Sequence, residues 1–324
     1  MANELTTVEH LRLKEIREKG TPWKLWGPYL AEREWGTVRE DYSADGNAWQ
    51  YFTHDQSRSR AYKWGEDGIA GISDDKQQMC FALAFWNGND PILKERMFGL
   101  TNGEGNHGED VKEYYFYLDN TPTHSYMKYL YKYPQAAYPY ADLLKTNAQR
   151  SRKEMEYELL NTGVFADNKY FDIIIEYGKA THEDILIYVT ICNRAKASAH
   201  LHILPTIWFR NTWAEGGGTK PVLFVGSDTR NRSIVARHSE LGEYTLFCDG
   251  HPQLLFTENE TNHNRIEGCS VPGYFKDGIN DYLVENKTDA VNGELIGTKA
   301  AAHYSVRVPG GEEVSIRLRL RLER

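Results

Sequence analysis

The chain has 324 residues with 40% hydrophobic and 13% aromatic content, which excludes an intrinsically disordered chain and suffices for one large domain. Its formal charge of −8, from 46 acidic and 38 basic residues, is spread along the sequence, so no basic stripe awaits a phosphate backbone and nucleic acid is not an expected partner. No stretch approaches the roughly 20 apolar residues of a membrane span, and the opening MANELTTVEHLRLKEIREKG lacks the apolar core of a signal peptide, so the expectation is a cytoplasmic protein with no membrane partner.

The first predicted element is an amphipathic helical arm over residues 1–22. Thr6 is placed to cap it, Glu9 stands where a capping box wants a carboxylate, and Gly20 followed by Pro22 ends it. From Trp23 to residue 324 helical periodicity is scarce, and short alternating runs separated by Gly, Asn, Asp and Pro take over. Five tryptophans fall early in this region, Trp23, Trp26, Trp35, Trp49 and Trp64. The run NGEGNHGEDVKEYYFYLDNTPTHSYMKYLYKYPQ (102–135) then passes from glycine and acids to a stretch in which nine tyrosines lie between Tyr114 and Tyr140. Helical composition from Ser125 to Arg152 predicts a long, partly helical excursion around 120–155.

Strands are predicted at 170–180, 184–195, 201–211, 244–250 and 252–260. In DILIYVTIC, Ile185, Ile187, Val189 and Ile191 share one side while Leu186 and Tyr188 take the other, which predicts a strand covered on both faces. At the end, Tyr304, Val306 and Val308 alternate with polar residues, as do Val314, Ile316, Leu318 and Leu320, which predicts a hairpin turning near Gly310 and Gly311. Successive strands without intervening helices define the expected class: all-β, a large antiparallel β-sandwich of two packed sheets, with no internal boundary from 23 to 324.

The chemistry legible in these residues is limited. His107, Glu109, Asp110 and His124 offer metal donors, but at none of the usual spacings. Cys80, Cys192, Cys248 and Cys269 lie far apart without a CxxC pair and read as buried thiols. No metal or other cofactor is expected, and the sequons at Asn231, Asn259 and Asn286 carry little weight in a reducing compartment. The acid pairs Glu66–Asp67, Asp74–Asp75 and Glu109–Asp110 sit on predicted loops, where solvated turns outnumber catalytic carboxylates. There is no GxSxG and no Walker loop, and GGG at 216–218 reads as a turn. Flat aromatics beside carboxylates and amides, as in Tyr114, Tyr115, Tyr117, Tyr126 and Tyr129 after the glycine run, suit either sugar contact or simple packing.

Through WGPYLAEREWGTVREDYSADGNAWQYFTHDQSRSRAYKWGEDGIAGISDD (26–75) and FALAFWNGNDPILKERMFGLTNGEGNHGEDVKEYYFYLDNTPTHSYMKYLYKYPQ (81–135), the chain resembles bacterial glucosidases of glycoside hydrolase family 63, kin of the α-glucosidase that trims mannosyl-oligosaccharides. The resemblance continues through FRNTW, LLFTENETN, YFKDGI and GTKAAAHY. It implies an N-terminal β-sandwich that in the family precedes an (α/α)6 barrel holding the inverting acid and base. No catalytic residue carries over to this chain, which on its own is expected to be inactive. The resemblance further implies sandwich loops at the rim of an oligosaccharide site. Asn106, His107, Glu109, Asp110, Lys112, Tyr114, Tyr115, His124 and Tyr126 form the first expected sugar or barrel contact, and Trp64, Glu66 and Asp67 the second. The competing readings are a stand-alone carbohydrate-binding module and a non-catalytic subunit that pairs with a separate barrel.

Overall fold

A computed structural model describes residues 7–43, 45–46, 51–100, 113–214, 216, 218–227 and 232–323. The strands, in chain order, are β1 (Trp26–Gly27), β2 (Ile69–Asp74), β3 (Met79–Trp86), β4 (Tyr114–Asn120), β5 (Tyr126–Pro134), β6 (Tyr170–Thr181), β7 (Asp184–Asn193), β8 (Ala199–Phe209), β9 (Val222–Val225), β10 (Arg232–His238), β11 (Gly242–Cys248), β12 (Gln253–Thr257), β13 (Ile296–Gly297), β14 (Lys299–Val308) and β15 (Glu313–Leu322). The helices are α1 (Val8–Lys19), α2 (Arg39–Tyr42), α3 (His54–Ser57), α4 (Tyr140–Gln149), α5 (His263–Glu267) and α6 (Gly278–Val284).

The strands form a six-stranded sheet, β1-β2-β3-β8-β14-β12, and a nine-stranded sheet, β13-β9-β10-β11-β15-β7-β6-β5-β4. Neighbours pair antiparallel, as the sandwich expectation requires. Alternation explains the core. Phe81, Leu83 and Phe85 of β3 and Ile203 and Ile207 of β8 face Ile173, Ile175, Ile187, Val189 and Leu318 of the opposite sheet, all buried in one cluster. Each fully buried side chain of this size contributes about 1.5–3 kcal/mol.

The two sheets differ on their outer faces. Ala84, Leu204 and Ala301, on the far side of the six-stranded sheet, are buried against Ile279 and Leu283 of α6. The doubly covered strands are therefore β3, β8 and β14. The sequence expectation for DILIYVTIC is corrected here: Leu186 and Tyr188 of β7 are 49% and 37% exposed, because no layer of the described residues covers this face of the nine-stranded sheet. Cross-strand rows of mixed character run over it, such as Lys128, Glu176, Tyr188 and Arg317. Lys128 pairs with Glu176 at 3.5 Å, and the Arg317 guanidinium lies 5.8 Å from the Tyr188 ring centroid.

The terminal strands also depart from expectation. β14 and β15 do not pair with each other. β14 lies between β8 and β12 in the smaller sheet, and β15 lies between β11 and β7 in the larger one. Pro309–Gly311 is thus an arch from one sheet to the other. A Cβ on Gly310 would lie 2.0 Å from the Lys196 carbonyl oxygen, so backbone packs on backbone at this crossing. Gly311 adopts φ +73°, which the same crossing requires.

The expected excursion at 120–155 is partly helical, as read, but its first half is sheet. Tyr126–Pro134 is β5, paired with β4 and β6, and only Tyr140–Gln149 is helical. Alternation within β5 buries Met127, Tyr129, Tyr131 and Tyr133. Within the expected N-terminal arm Val8–Lys19 is helical, but it is held by polar contacts, with none of its residues buried. Thr6 lies outside the described residues, and the cap is Thr7, whose hydroxyl accepts from His10 N while the His10 ring answers the Thr7 N–H. Glu9 instead accepts from Thr123 N at 2.7 Å and Ser125 Oγ at 2.9 Å, tying the arm to the β4–β5 turn.

Candidate functional site

Segments far apart in sequence meet at one end of the six-stranded sheet, where β8 and β12 run out and β3 and β14 begin. Cys80 pairs with Trp208 there, and Lys299 pairs with both Trp208 and Thr257. Small outward residues on these strands, Ala82 beside Thr206, leave space that the flanking loops fill with charge. Glu66, Asp67, Arg96, Lys276 and Lys299 are each 5% exposed or less.

The pairing within this cluster is nearly complete. Arg96 donates through Nε to Asp67 at 3.2 Å and through Nη2 to Glu95 at 2.9 Å. Lys299 Nζ lies 3.2 Å from both Glu95 oxygens and 3.0 Å from the Lys276 carbonyl. Glu66 Oε1 accepts from Asn259 Nδ2 at 3.0 Å, and Asp67 Oδ2 accepts from Tyr62 Oη at 2.8 Å. Burial pushes the Glu66 carboxyl up to about 7 against the pull of Lys276, and burial takes the Lys276 ammonium down to about 8 despite Glu66. Burial also raises Glu95, but Lys299, Arg96 and Lys276 outweigh it and hold the carboxyl at about 2.

Carboxyl and ammonium groups poised near neutrality are what general acid–base catalysis uses. The space argues otherwise. The cavity among these side chains is about 30 Å³, room for a water molecule and not for a sugar ring. The cluster is a buried ionic floor.

Tyr62, which donates to Asp67 of this cluster, also lines a separate cleft of about 560 Å³. Trp64, 67% exposed, stands on its wall with Lys63 Nζ 5.2 Å from the ring centroid. Arg210, Asn211, Glu260 and Thr261 supply polar atoms, while Val271 and Phe275 supply apolar surface. Glu260 Oε1 accepts from Trp213 Nε1 at 3.0 Å and Lys220 Nζ at 2.8 Å. Burial raises its carboxyl, yet these bonds leave it below the usual range and therefore ionised at neutral pH.

The expected site residues separate into three groups. Asn106, His107, Glu109, Asp110 and Lys112 lie outside the described residues. Tyr114, Tyr115, His124 and Tyr126 do not line the cleft: they belong to the β4–β5 hairpin at the edge of the larger sheet. There Tyr114 meets Phe165 edge-on, Tyr115 stacks on Tyr129, His124 Nδ1 sits 2.9 Å from Asn120 Oδ1, and Tyr126 Oη donates to Glu176 at 2.5 Å. Trp64, Glu66 and Asp67 do come together, but only Trp64 is accessible, and the two acids are buried as part of the floor.

Of the other acids read from the sequence, Asp74 is a turn acceptor, taking hydrogen bonds from the backbone of Lys76, Gln78 and Met79. All four cysteines are free, with Cys80 and Cys248 buried, Cys192 half-buried and Cys269 exposed. Among the described residues no group of three or more His, Cys, Asp or Glu side chains is arranged to hold a metal, and no helix is long and apolar enough to cross a membrane.

No protein-family model matches the sequence. A curated Saccharomyces cerevisiae relative, described as uncharacterized protein YMR196W, is 44% identical over 348 aligned positions that take in 96% of this chain. The chain spans only 32% of that relative's length. Among solved structures, a polysaccharide lyase aligns with 76% of this chain and 25% of its own at 9% identity and a TM-score of 0.36. A galactose mutarotase related enzyme from Lactobacillus acidophilus aligns with 78% of this chain and 90% of its own at 6% identity and a TM-score of 0.32.

Proposed function

We propose that this chain is the N-terminal β-sandwich of a family-63-like α-glucosidase of the mannosyl-oligosaccharide type. On this reading it packs on an (α/α)6 barrel, in cis or in trans, and shapes the rim of that barrel's oligosaccharide site. The observation that carries the reading is the origin of the site residues. Glu66 and Asp67 come from WGEDG, Glu95 and Arg96 from LKERM, Arg210 and Asn211 from FRNTW, Asn259 and Glu260 from TENE, Lys276 from YFKDG and Lys299 from GTKAA. These are the stretches through which the family resemblance runs, and they converge on one place although they span more than two hundred residues. A scattered, purely structural resemblance has no reason to converge there.

The chain's 32% share of its yeast relative fits a domain within a longer enzyme. The sandwich contributes no acid or base of its own in this reading, because Glu66, the carboxyl of the cluster raised to about 7, is 1% exposed beside a cavity of about 30 Å³ that no sugar enters. The test is glucose release from glucosylated mannosyl-oligosaccharides by the full-length yeast relative, with this chain assayed alongside. Hydrolysis by the long protein and none by this chain is the expected result. No hydrolysis of any α-glucoside by the long protein, or turnover by this chain that Asp67→Asn or Glu109→Gln abolishes, would overturn it.

A further inference from the structure

We infer that the cleft beside Trp64 is itself a binding site for one pyranose unit of a neutral oligosaccharide, formed entirely by the sandwich. The inference rests on the sugar-directed reading above only for the ligand class, and the site is argued from its own geometry.

An exposed indole needs explanation when the backbone under it is fixed. Arg210 Nη1 donates to the carbonyl of Lys63 at 2.9 Å, immediately before Trp64. Gly65, immediately after it, packs so closely on Glu34 that a Cβ there would sit 2.6 Å from Glu34 Oε1. Arg210 in turn is held by the Gln77 carbonyl at 3.0 Å and the Lys76 carbonyl at 3.2 Å. The ring is thus presented by a clamped segment, and a ligand stacking on it loses little to ordering of the protein.

The surroundings select the ligand. A pyranose offers an apolar C–H face and a rim of hydroxyls that both donate and accept. The cleft matches this with a flat ring, the ionised Glu260 as acceptor, and the Asn211 amide and Thr261 hydroxyl nearby. Glu260 Oε2 takes no hydrogen bond among the described residues, while Oε1 is fixed by Trp213 and Lys220. The volume of about 560 Å³ falls in the usual range for small-molecule sites, about 300–1,000 Å³. The lining sets one carboxylate, Glu260, against Lys63 and Arg210, and the Arg210 guanidinium is committed to three backbone carbonyls, so the wall offers no cationic cluster of the kind an anionic sugar would need.

The experiment titrates the intact 324-residue chain with maltotriose, cellotriose and methyl α-mannopyranoside, using sorbitol as the acyclic control, by calorimetry and tryptophan fluorescence. Saturable binding of at least one pyranoside, with no response to sorbitol, is expected. Trp64→Ala should weaken that binding at least about tenfold without moving the thermal midpoint, since the ring is exposed. Glu260→Gln, which keeps shape and removes charge, should weaken it about three- to tenfold. Absence of binding to all three pyranosides, or binding that survives Trp64→Ala unchanged, overturns the inference. The two readings fail separately: sugar binding here with no hydrolysis by the long relative removes the glucosidase, whereas hydrolysis there with no binding here removes this site.

Discussion

Lys276 Nζ lies 3.5 Å from the centroid of the Tyr62 ring, and Tyr62 Oη donates to Asp67 at 2.8 Å, so one aromatic side chain joins a buried cation to a buried carboxylate. The same ring also lines the cleft. We predict that Tyr62→Phe, which keeps the ring and removes the donor, destabilises by about 1–3 kcal/mol through the weakened satisfaction of Asp67. Tyr62→Leu removes the cation contact as well and should cost more. Equilibrium unfolding in urea measures both, and equal stability of the wild type and the phenylalanine variant would show that the hydroxyl does not matter.

Two groups in the floor give opposite slopes of stability against pH. Glu66 is raised from near 4.5 to about 7, so the folded state holds a proton that the unfolded state releases, and its contribution is full below pH 4.5 and lost as pH rises to 7. Lys276 is lowered from near 10.5 to about 8, so its penalty is relieved as pH climbs from 8 to 10.5. Glu66→Gln should flatten the fall between pH 4.5 and 7. Thermal midpoints across that range check this, and an unchanged slope would mean Glu66 is ionised throughout.

Glu95 behaves in the opposite sense. Held at about 2 by its cations, it contributes stability that is complete above pH 4.5 and lost as pH falls through 2. Glu95→Gln leaves Lys299 and Arg96 short of a buried counter-charge and is predicted to cost about 3–5 kcal/mol at neutral pH. The loss should shrink progressively in acid, where the wild-type carboxyl is protonated too. A cost that is constant down to pH 2 would contradict the ion-pair origin.

The open face of the larger sheet can be separated from the core by neighbours on one strand. Leu186→Ser should change stability by no more than about 0.5 kcal/mol, whereas Ile187→Ala, one residue along and buried, should cost about 2–5 kcal/mol. Denaturant midpoints decide, and a large cost at Leu186 would mean that something covers this face.

The arch between the sheets leaves no room for a side chain at Gly310. Gly310→Ala places a Cβ against the Lys196 carbonyl, and the backbone has to shift to accept it. A loss of about 2 kcal/mol or more is expected, compared with a few tenths for Gly293→Ala, whose Cβ meets open space. Comparable melting of the two variants would disprove the close approach.

Period-two alternation carried most of the fold, because strands with one buried face announce themselves: Ile316, Leu318 and Leu320 against Arg317, Arg319 and Arg321 required no further information. What alternation cannot state is the partner. β14 and β15 look like a hairpin locally, and only their ladder partners, β8 and β12 for one and β11 and β7 for the other, reveal that they diverge into different sheets. Helical composition over Ser125–Arg152 points to a partly helical excursion, but composition does not place its boundary: the helix is confined to Tyr140–Gln149, while the alternating tyrosines of Tyr126–Pro134 fill the core as a strand. Trp64, Glu66 and Asp67 were legible as a group from their neighbourhood, but not their division into accessible wall and sealed floor. Arg210, Glu260, Lys276 and Lys299 were missed as site residues. Each is an ordinary charged residue in its own segment, and the one signal available was that each lies in a stretch carrying the family resemblance.

β15 is hydrogen-bonded on both sides, to β11 and β7, so Leu322 leaves the interior of the larger sheet instead of its margin. Any tension applied beyond Glu323 would load two ladders in shear at once, and peeling one strand from an edge would not relieve it. A body attached at that point would therefore be mounted on a stiff anchorage, and its swing relative to the sandwich would be set by the joint itself and hardly at all by yielding of the strand behind it.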